Sequence, residues 1–281
     1  MRYHEVSPSA SAARYVKCYW ILEDAAPSRE PQRIVPDGRS ELILNFAQPF
    51  ESQVAGEWRR QPQSFVVGQI TGPLLLRACG PARILGVRFH PHGVGSVLDA
   101  SASELTNRVA PTDCLSMQLH RELRRLLDLE SPSAALGRID RIFCRLIRER
   151  REGQTPVIAA VRQLERTAGQ ARIAAIAEAA GLSLRQLQRR FHEAVGISPK
   201  LFSRMQRFQR VFQAAETAEM DWVGAAMQCG YFDQAHLIRD FREFAGKAPM
   251  SLLSGEVDLS RRFLRSDAMS HFSNTGLRRS V

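Results

Sequence analysis

Leu187, Phe191, Val195, Gly196 and Pro199 recur fifty positions later as Leu237, Phe241, Ala245, Gly246 and Pro249. Upstream, Ala177, Ala180 and Gly181 recur as Ala226, Cys229 and Gly230, so the second copy holds one extra residue in its turn. Two copies are too few for a solenoid, which needs three or more units to bury a continuous core. The repeat therefore predicts a duplicated small module. Gly196 and Gly246 stand where a helix would end on a left-handed residue, and a proline follows three positions later in each copy.

Each copy reads as helix, glycine turn, helix. In the first, Ile173, Ile176, Ala177 and Ala180 form a short apolar stripe. Gly181-Leu182-Ser183 makes the turn, with Ser183 as the cap of the next helix. Leu184, Leu187, Phe191 and Ala194 give the second stripe. In the second copy Trp222, Ala225, Ala226 and Cys229 come first, Asp233 is the cap, and Leu237, Phe241 and Phe244 follow. Alanines on the inner face allow the close crossing that a helix-turn-helix needs.

The outer face of each second helix carries the function. The first presents Arg185, Gln186, Gln188, Arg189 and Arg190. Arg pairs bidentately with guanine and Gln with adenine in the major groove. Early positions of such a helix meet base edges. The second presents Gln234, Ala235, His236, Ile238 and Arg239, with Ile238 suited to a thymine methyl. From Arg172 to Arg210 there are 8 basic residues against Glu178 and Glu193, whereas 221–247 holds 3 basic and 4 acidic. Copy one is thus expected to supply most of the affinity, and copy two shape and a few contacts. A pair of helical hairpins with solvated polar faces is the plainer alternative. Matching glycines, caps, stripes and a basic face favour DNA. Between the copies, Pro199 to Glu216 reads as a long helix. Leu201, Phe202, Met205, Phe208, Val211 and Phe212 lie on one side and Arg204, Arg207 and Arg210 on the other. It would hold the two outer faces about one turn of DNA apart, ~34 Å.

Hydrophobic residues make up 44% of the 281-residue chain and charged residues 24%, as in an ordinary globular protein, and the length suits two domains. A formal charge of +10 suits nucleic acid or an anionic surface. Cys18, Cys79, Cys114, Cys144 and Cys229 show no metal-type spacing and are each expected to be small buried residues of a reduced, cytoplasmic protein. Met1 to Ala10 is polar and no apolar run approaches a membrane span, so neither a signal peptide nor a membrane partner is expected.

Residues 1–110 read as a β-rich domain. Apolar runs at Glu41–Phe46, Ser64–Val67, Leu74–Leu76 and Ile84–Phe89 are separated by turns at Pro36-Asp37-Gly38, Thr71-Gly72-Pro73 and Cys79-Gly80-Pro81. Such spacing predicts a sandwich or barrel. From Pro91 the pattern turns helical. Leu115, Leu119, Leu123, Leu126 and Leu127 form one stripe, and Leu136, Ile139, Phe143, Leu146 and Ile147 another. The second carries an Arg-rich solvated face. A helical extension and linker is assigned to 111–152, the duplicated module to 153–254, and a disordered Ser- and Arg-rich tail to 255–281. The fold class expected is α+β: a β-barrel-like front domain with a helical extension, then an all-α domain with two helix-turn-helix units.

Other chemistry ranks lower. His90-Pro91-His92 has a metal-like spacing but no carboxylate close behind it, and reads as a polar loop. Asp37 and Glu41 could pair as catalytic carboxylates, yet no base, nucleophile or oxyanion donor is placed beside them, and Asp37 suits a turn. Trp20, Phe46 and Trp58 fill a core or line a ligand cavity, with core preferred. No cofactor, metal or catalytic residue is assigned.

The segments IAEAAGLSLRQLQRRFHEAVGISPK (176–200) and AAMQCGYFDQAHLIRDFREFAGKAP (225–249) resemble the AraC/XylS family of transcription regulators, over Pro156 to Leu253. Departures are His236-Leu237 in place of a His-Phe pair, Glu243 at a commonly basic position, and Ser251-Leu252-Leu253 in place of an aromatic-Arg ending. The resemblance implies two helix-turn-helix units bridged by a long helix, with base readers at Arg185, Gln188, Arg189, Gln234, Ala235, Ile238 and Arg239. RIVPDGRSELILNF (33–46), VGQITGPLLL (67–76) and ILGVRFHPHG (84–93) resemble the β-rich sensor domain of a subset of such regulators. The family resemblance further implies promoter DNA and RNA polymerase as partners, activation as the sign, and a front domain that takes a small-molecule effector or forms a homodimer. Two other readings are a cupin-like metal enzyme tethered to DNA and a nonspecific architectural DNA binder.

Overall fold

The computed structural model describes residues 1–98, 100–149, 155–215 and 222–249. Ten strands occupy the front: β1 (Arg2–Val6), β2 (Val16–Asp24), β3 (Gln32–Ile34), β4 (Glu41–Asn45), β5 (Glu51–Val54), β6 (Glu57–Arg60), β7 (Ser64–Val67), β8 (Leu74–Arg77), β9 (Ala82–Phe89) and β10 (Val109–Pro111). They build two antiparallel sheets rather than one closed barrel. The larger runs β1-β2-β9-β4-β7-β10 and the smaller β3-β8-β5-β6. β2 and β9 form the spine, with Tyr19 opposite Val87, Trp20 opposite Gly86 and Ile21 opposite Leu85. A side chain at Gly86 would collide with the Trp20 indole, so its absence makes room for the ring.

Helices α1 (Gly93–Val97), α2 (Ala102–Leu105), α3 (Thr112–Leu115), α4 (Met117–Leu127) and α5 (Pro132–Arg148) follow. Ser116 and Ser131 cap α4 and α5 through their hydroxyls, and Pro132 sits in the first turn of α5, where a missing N–H costs nothing. The apolar stripes of α4 and α5 cover the six-stranded sheet, with Phe143 edge-on to Phe89 at 5.6 Å.

The back region holds α6 (Thr155–Arg166), α7 (Ile173–Ala179), α8 (Leu184–Val195), α9 (Pro199–Ala215), α10 (Trp222–Gln228) and α11 (Gln234–Ala245). The long helix α9 is the spine of this part. Its Phe202 packs on Phe191 of α8 at 5.7 Å, and its Phe208 packs on Phe241 and Phe244 of α11 at 4.8 and 5.4 Å. All five rings are fully buried. Each such ring contributes on the order of 2 kcal/mol by burial, so α9 locks both halves into one core.

Front and back are joined by more than a linker. Val35 is buried in the core of the back region, alongside Val161, Leu164 and Phe202. The Pro36 carbonyl accepts from Gln209 of α9 at 3.3 Å, and Arg39 pairs with Glu165 of α6 at 3.2 Å. α1 and α2 pack against α8.

Two expectations change. Cys18 and Cys229 are buried, but Cys79 and Cys144 are only partly so and Cys114 is exposed, because it lies on the outer side of the one-turn helix α3. His90-Pro91-His92 is a turn, but a shielded one: His92 is 4% exposed, with its Nε2 against the Arg14 carbonyl at 3.1 Å. The ring of His90 stacks on it at 5.8 Å. The linker residues 151–154, the tail 255–281, Ser251-Leu252-Leu253 and the side chains of Phe212, Trp222 and Ala225 lie outside the described residues. No described helix is long and apolar enough to cross a membrane.

Candidate nucleic-acid interface

In the first copy, α7 buries Ile176 and Ala177, and Gly181 at φ +64° turns the chain toward α8. Ser183 then builds a capping box. Its hydroxyl accepts the Gln186 N–H at 3.2 Å, while Gln186 Oε1 accepts the Ser183 N–H at 2.9 Å. One end of the Gln186 carboxamide is thereby committed to the cap, and only its NH2 remains to donate outward. Leu187, Phe191 and Val195 anchor the inner face. On the opposite side Arg185, Gln188 and Arg189 are exposed, and Arg190 is half-buried. Arg189 makes a loose exposed pair with Glu193 at 3.5 Å, which costs little to break.

The second copy repeats the build with different chemistry. Asp233 accepts the His236 N–H at 2.6 Å as the cap of α11. Gln234, Ala235 and Arg239 are exposed, while His236 and Ile238 are half-buried. The His236 ring stands edge-on to Tyr231 at 5.0 Å and 3.9 Å from Asp240. Beneath it, buried Asp240 accepts from Arg204 of α9 at 2.7 Å, and Arg204 also reaches Glu243. Two acids of α11 thus share the one guanidinium that the bridging helix supplies. Burial, and then the Asp240 carboxylate, push the Tyr231 phenol well above its ordinary range.

The arginines of α9 divide. Arg204 holds α11, and Arg207 donates to the Gly169 carbonyl at 2.8 Å with its guanidinium over the Tyr231 ring. Arg210 is exposed. The extra residue of the second turn is Phe232, 86% exposed immediately before the cap. The repeat in the sequence marks an insertion there but not its exposure. The signal that could have found it is a large apolar residue between a turn glycine and a cap, where no buried face is available to it.

The C-terminal ends of α8 and α11 face the front domain. Gly196 ends α8 in the left-handed region, and its carbonyl accepts from Thr106 at 2.9 Å. Gly246 ends α11 in the same way, and the Ala245 carbonyl before it accepts from Arg33 at 2.8 Å. Elsewhere, Asp37 makes a turn by accepting the Arg39 N–H at 3.0 Å, and Asp37 and Glu41 both approach Arg88. Trp20 is buried and lines a cavity between the two sheets, Phe46 packs against the core under α4 and α5, and Trp58 stacks on Arg77. Among the described residues no three potential metal ligands cluster.

Residues 176–254 match the model of the helix-turn-helix domain family, and residues 4–111 match that of a domain of unknown function, DUF6597. No curated protein matches the chain. Among solved structures, an apo form of ToxT from Vibrio cholerae is 10% identical, covering 84% of this chain and 96% of that one, with a TM-score of 0.46. ToxT from the same organism with unsaturated fatty acid bound is 9% identical, covering 90% and 97%, with a TM-score of 0.45. The AraC-like transcriptional activator CuxR is 18% identical, covering 70% and 76%, with a TM-score of 0.31.

Proposed function

We propose that this chain reads a specific duplex sequence through two successive major grooves, because residues 176–254 match a helix-turn-helix domain family and the same stretch resembles the AraC/XylS regulators. The observation that carries the proposal is the pair of exposed faces, Arg185/Gln188/Arg189 and Gln234/Ala235/Arg239, held on one core by α9. At 1.5 Å per residue the 17-residue α9 is about 25 Å long, a length suited to bridging neighbouring grooves. Arg185, Gln188 and Arg189 take base edges in the first half-site. Gln186 and Arg190 serve the backbone, since one is half committed to its cap and the other half-buried. In the second half-site Gln234 and Arg239 take base edges and Ala235 and Ile238 apolar contacts. His236 supports this surface from below, and Phe232 lies against sugar or a thymine methyl.

The front domain controls this reading through its contacts with α6, α8, α9 and α11. Activation by recruitment of RNA polymerase is the output, and a homodimer is the assembly, both resting on the AraC/XylS resemblance. The test is selection of bound sites from a pool of random duplexes, followed by gel retention. The triple variant R185A/Q188A/R189A should lose sequence selectivity, which in a specific regulator amounts to ~10³ or more. Selectivity unchanged in that variant, or no consensus emerging from the selection, overturns the proposal.

A further inference from the structure

Helix α5 carries Arg138, Arg141, Arg145 and Arg148 at spacings of three and four, so all four lie along one ridge about 15 Å long. Beside it, Glu122, Arg125 and Leu126 of α4 form the other wall of a groove of about 380 Å³, to which α5 adds Ile142. That is the size of a small-molecule site. Of its eight lining side chains five are arginine and one is acidic.

The acid is already committed. Both carboxylate oxygens of Glu122 accept from Arg145 Nη2 at 2.7 Å, and Glu149 reaches the same guanidinium at 3.6 Å. Asp140, the only acid between 138 and 148, accepts instead from Ser9 and Tyr19. Arg125, Arg138 and Arg141 are exposed, and among the described residues no carboxylate pairs with them. The bond from Arg145 to Glu122 fixes the register of the helix pair, which turns Arg125 toward Arg141 and Arg138. Three guanidiniums from two helices thus line one end of the groove, with Leu126 and Ile142 between them.

We propose that this groove binds a linear oligophosphate of three or more phosphates, either inorganic or the chain of a nucleotide. Each guanidinium offers paired N–H donors that match two phosphate oxygens. A chain with charge on every phosphate meets all three arginines at once, which a single orthophosphate cannot do. A second copy offering the same groove would set arginine against arginine. A protein partner would have to bury on the order of 1,000 Å², and a groove of eight side chains supplies a fraction of that. α4 and α5 cover the six-stranded sheet and hold none of the faces assigned to DNA, so the proposal does not depend on the DNA reading.

The test is calorimetry on the full chain at one ionic strength, without divalent cations, using tripolyphosphate, ATP, AMP and orthophosphate. Tripolyphosphate and ATP should each bind at least about tenfold more tightly than AMP or orthophosphate. Equal affinity for the first two names the bare chain as the ligand, and tighter ATP adds the nucleoside to it. R138Q/R141Q should weaken tripolyphosphate about tenfold or more. R138K/R141K keeps the charge but not the paired donors, and should weaken it at least about threefold. Glu122→Gln releases Arg145 and should strengthen binding about twofold or more, a gain that misfolding cannot produce. R185Q/R189Q, on the DNA-reading face, should leave tripolyphosphate affinity within about twofold, and R138Q/R141Q should do the same for retention of duplex DNA. Tripolyphosphate binding lost in R185Q/R189Q rather than R138Q/R141Q, an R138K/R141K chain as good as the parent, or orthophosphate bound as well as tripolyphosphate overturns the assignment. So does weaker duplex retention in R138Q/R141Q, which would give the groove to the DNA backbone, or a dimer that R138Q/R141Q dissociates in sedimentation.

Discussion

Arg204 on α9 holds the carboxylate of Asp240 on α11 at 2.7 Å, and that carboxylate is 1% exposed. An acid this deep needs its partner, since a buried charge left alone costs far more than the pair contributes. Arg204→Met should therefore destabilise the chain by about 3–5 kcal/mol in urea denaturation. R204M/D240L, which removes both charges, should recover most of that loss. Equal stability of the single and double variants would show that Asp240 does not depend on Arg204.

Phe208 anchors the second copy to the bridging helix through its contacts with Phe241 and Phe244 of α11. Phe208→Ala should cost about 3–5 kcal/mol through lost burial and the cavity left behind. DNA protection should fail first over the second half-site, because α11 loses its floor while α8 keeps Phe202. Footprinting at partial denaturant reads this directly.

Phe232 touches little of the protein at 86% exposure. Phe232→Ser should change stability by no more than about 0.5 kcal/mol, as for other surface positions. The same variant should weaken binding to the selected duplex several-fold. Unchanged affinity in fluorescence anisotropy would remove Phe232 from the interface.

His90 and His92 set an acid limit. Burial lowers His90 to about 3, with Arg39, His92 and Lys17 adding to it. Burial likewise lowers His92 to about 4, helped by Arg162, Arg14 and Arg39 and opposed by the bond to the Arg14 carbonyl. Both are neutral when folded, while the unfolded chain protonates them below an ordinary value near 6.5. Stability is therefore fully present above pH ~6.5 and falls as pH drops toward 4, by roughly 1 kcal/mol per pH unit for each histidine. Thermal melts from pH 7 to 5 should show this slope, and H90N/H92N should flatten it. An unchanged slope in the double variant would assign the acid sensitivity to other groups.

The duplicated module was legible because its signals are local. Ser183 and Asp233 cap where spacing put them, Gly196 and Gly246 close their helices, and Leu187, Phe191, Leu237 and Phe241 are buried. Strands at Glu41 and Ser64 also stood out between turn residues. β2 did not, although it is the longest strand: Val16 and residues 18–22 are buried, so no alternation marks it. β5 and β6 carry Glu51, Glu57, Arg59 and Arg60 and lack an apolar run. The cavity, and the insertion of Val35 into a core built from the far end of the chain, depend on long-range packing that no local pattern records. The outer side of the second copy was only partly legible, because Asp240 and Glu243 are paired with Arg204 from another helix.

Thr106 and Arg33 grip the tail ends of α8 and α11 from one and the same front domain. The molecule is thereby a caliper with its jaws preset. Adding a single base pair between the half-sites turns one groove by about a tenth of a rotation and lengthens the gap by ~3.4 Å. A hinged reader would absorb that change by flexing. On the proposed two-groove reading, this chain would have to release one of two carbonyls first, and spacer length would become part of the address it selects.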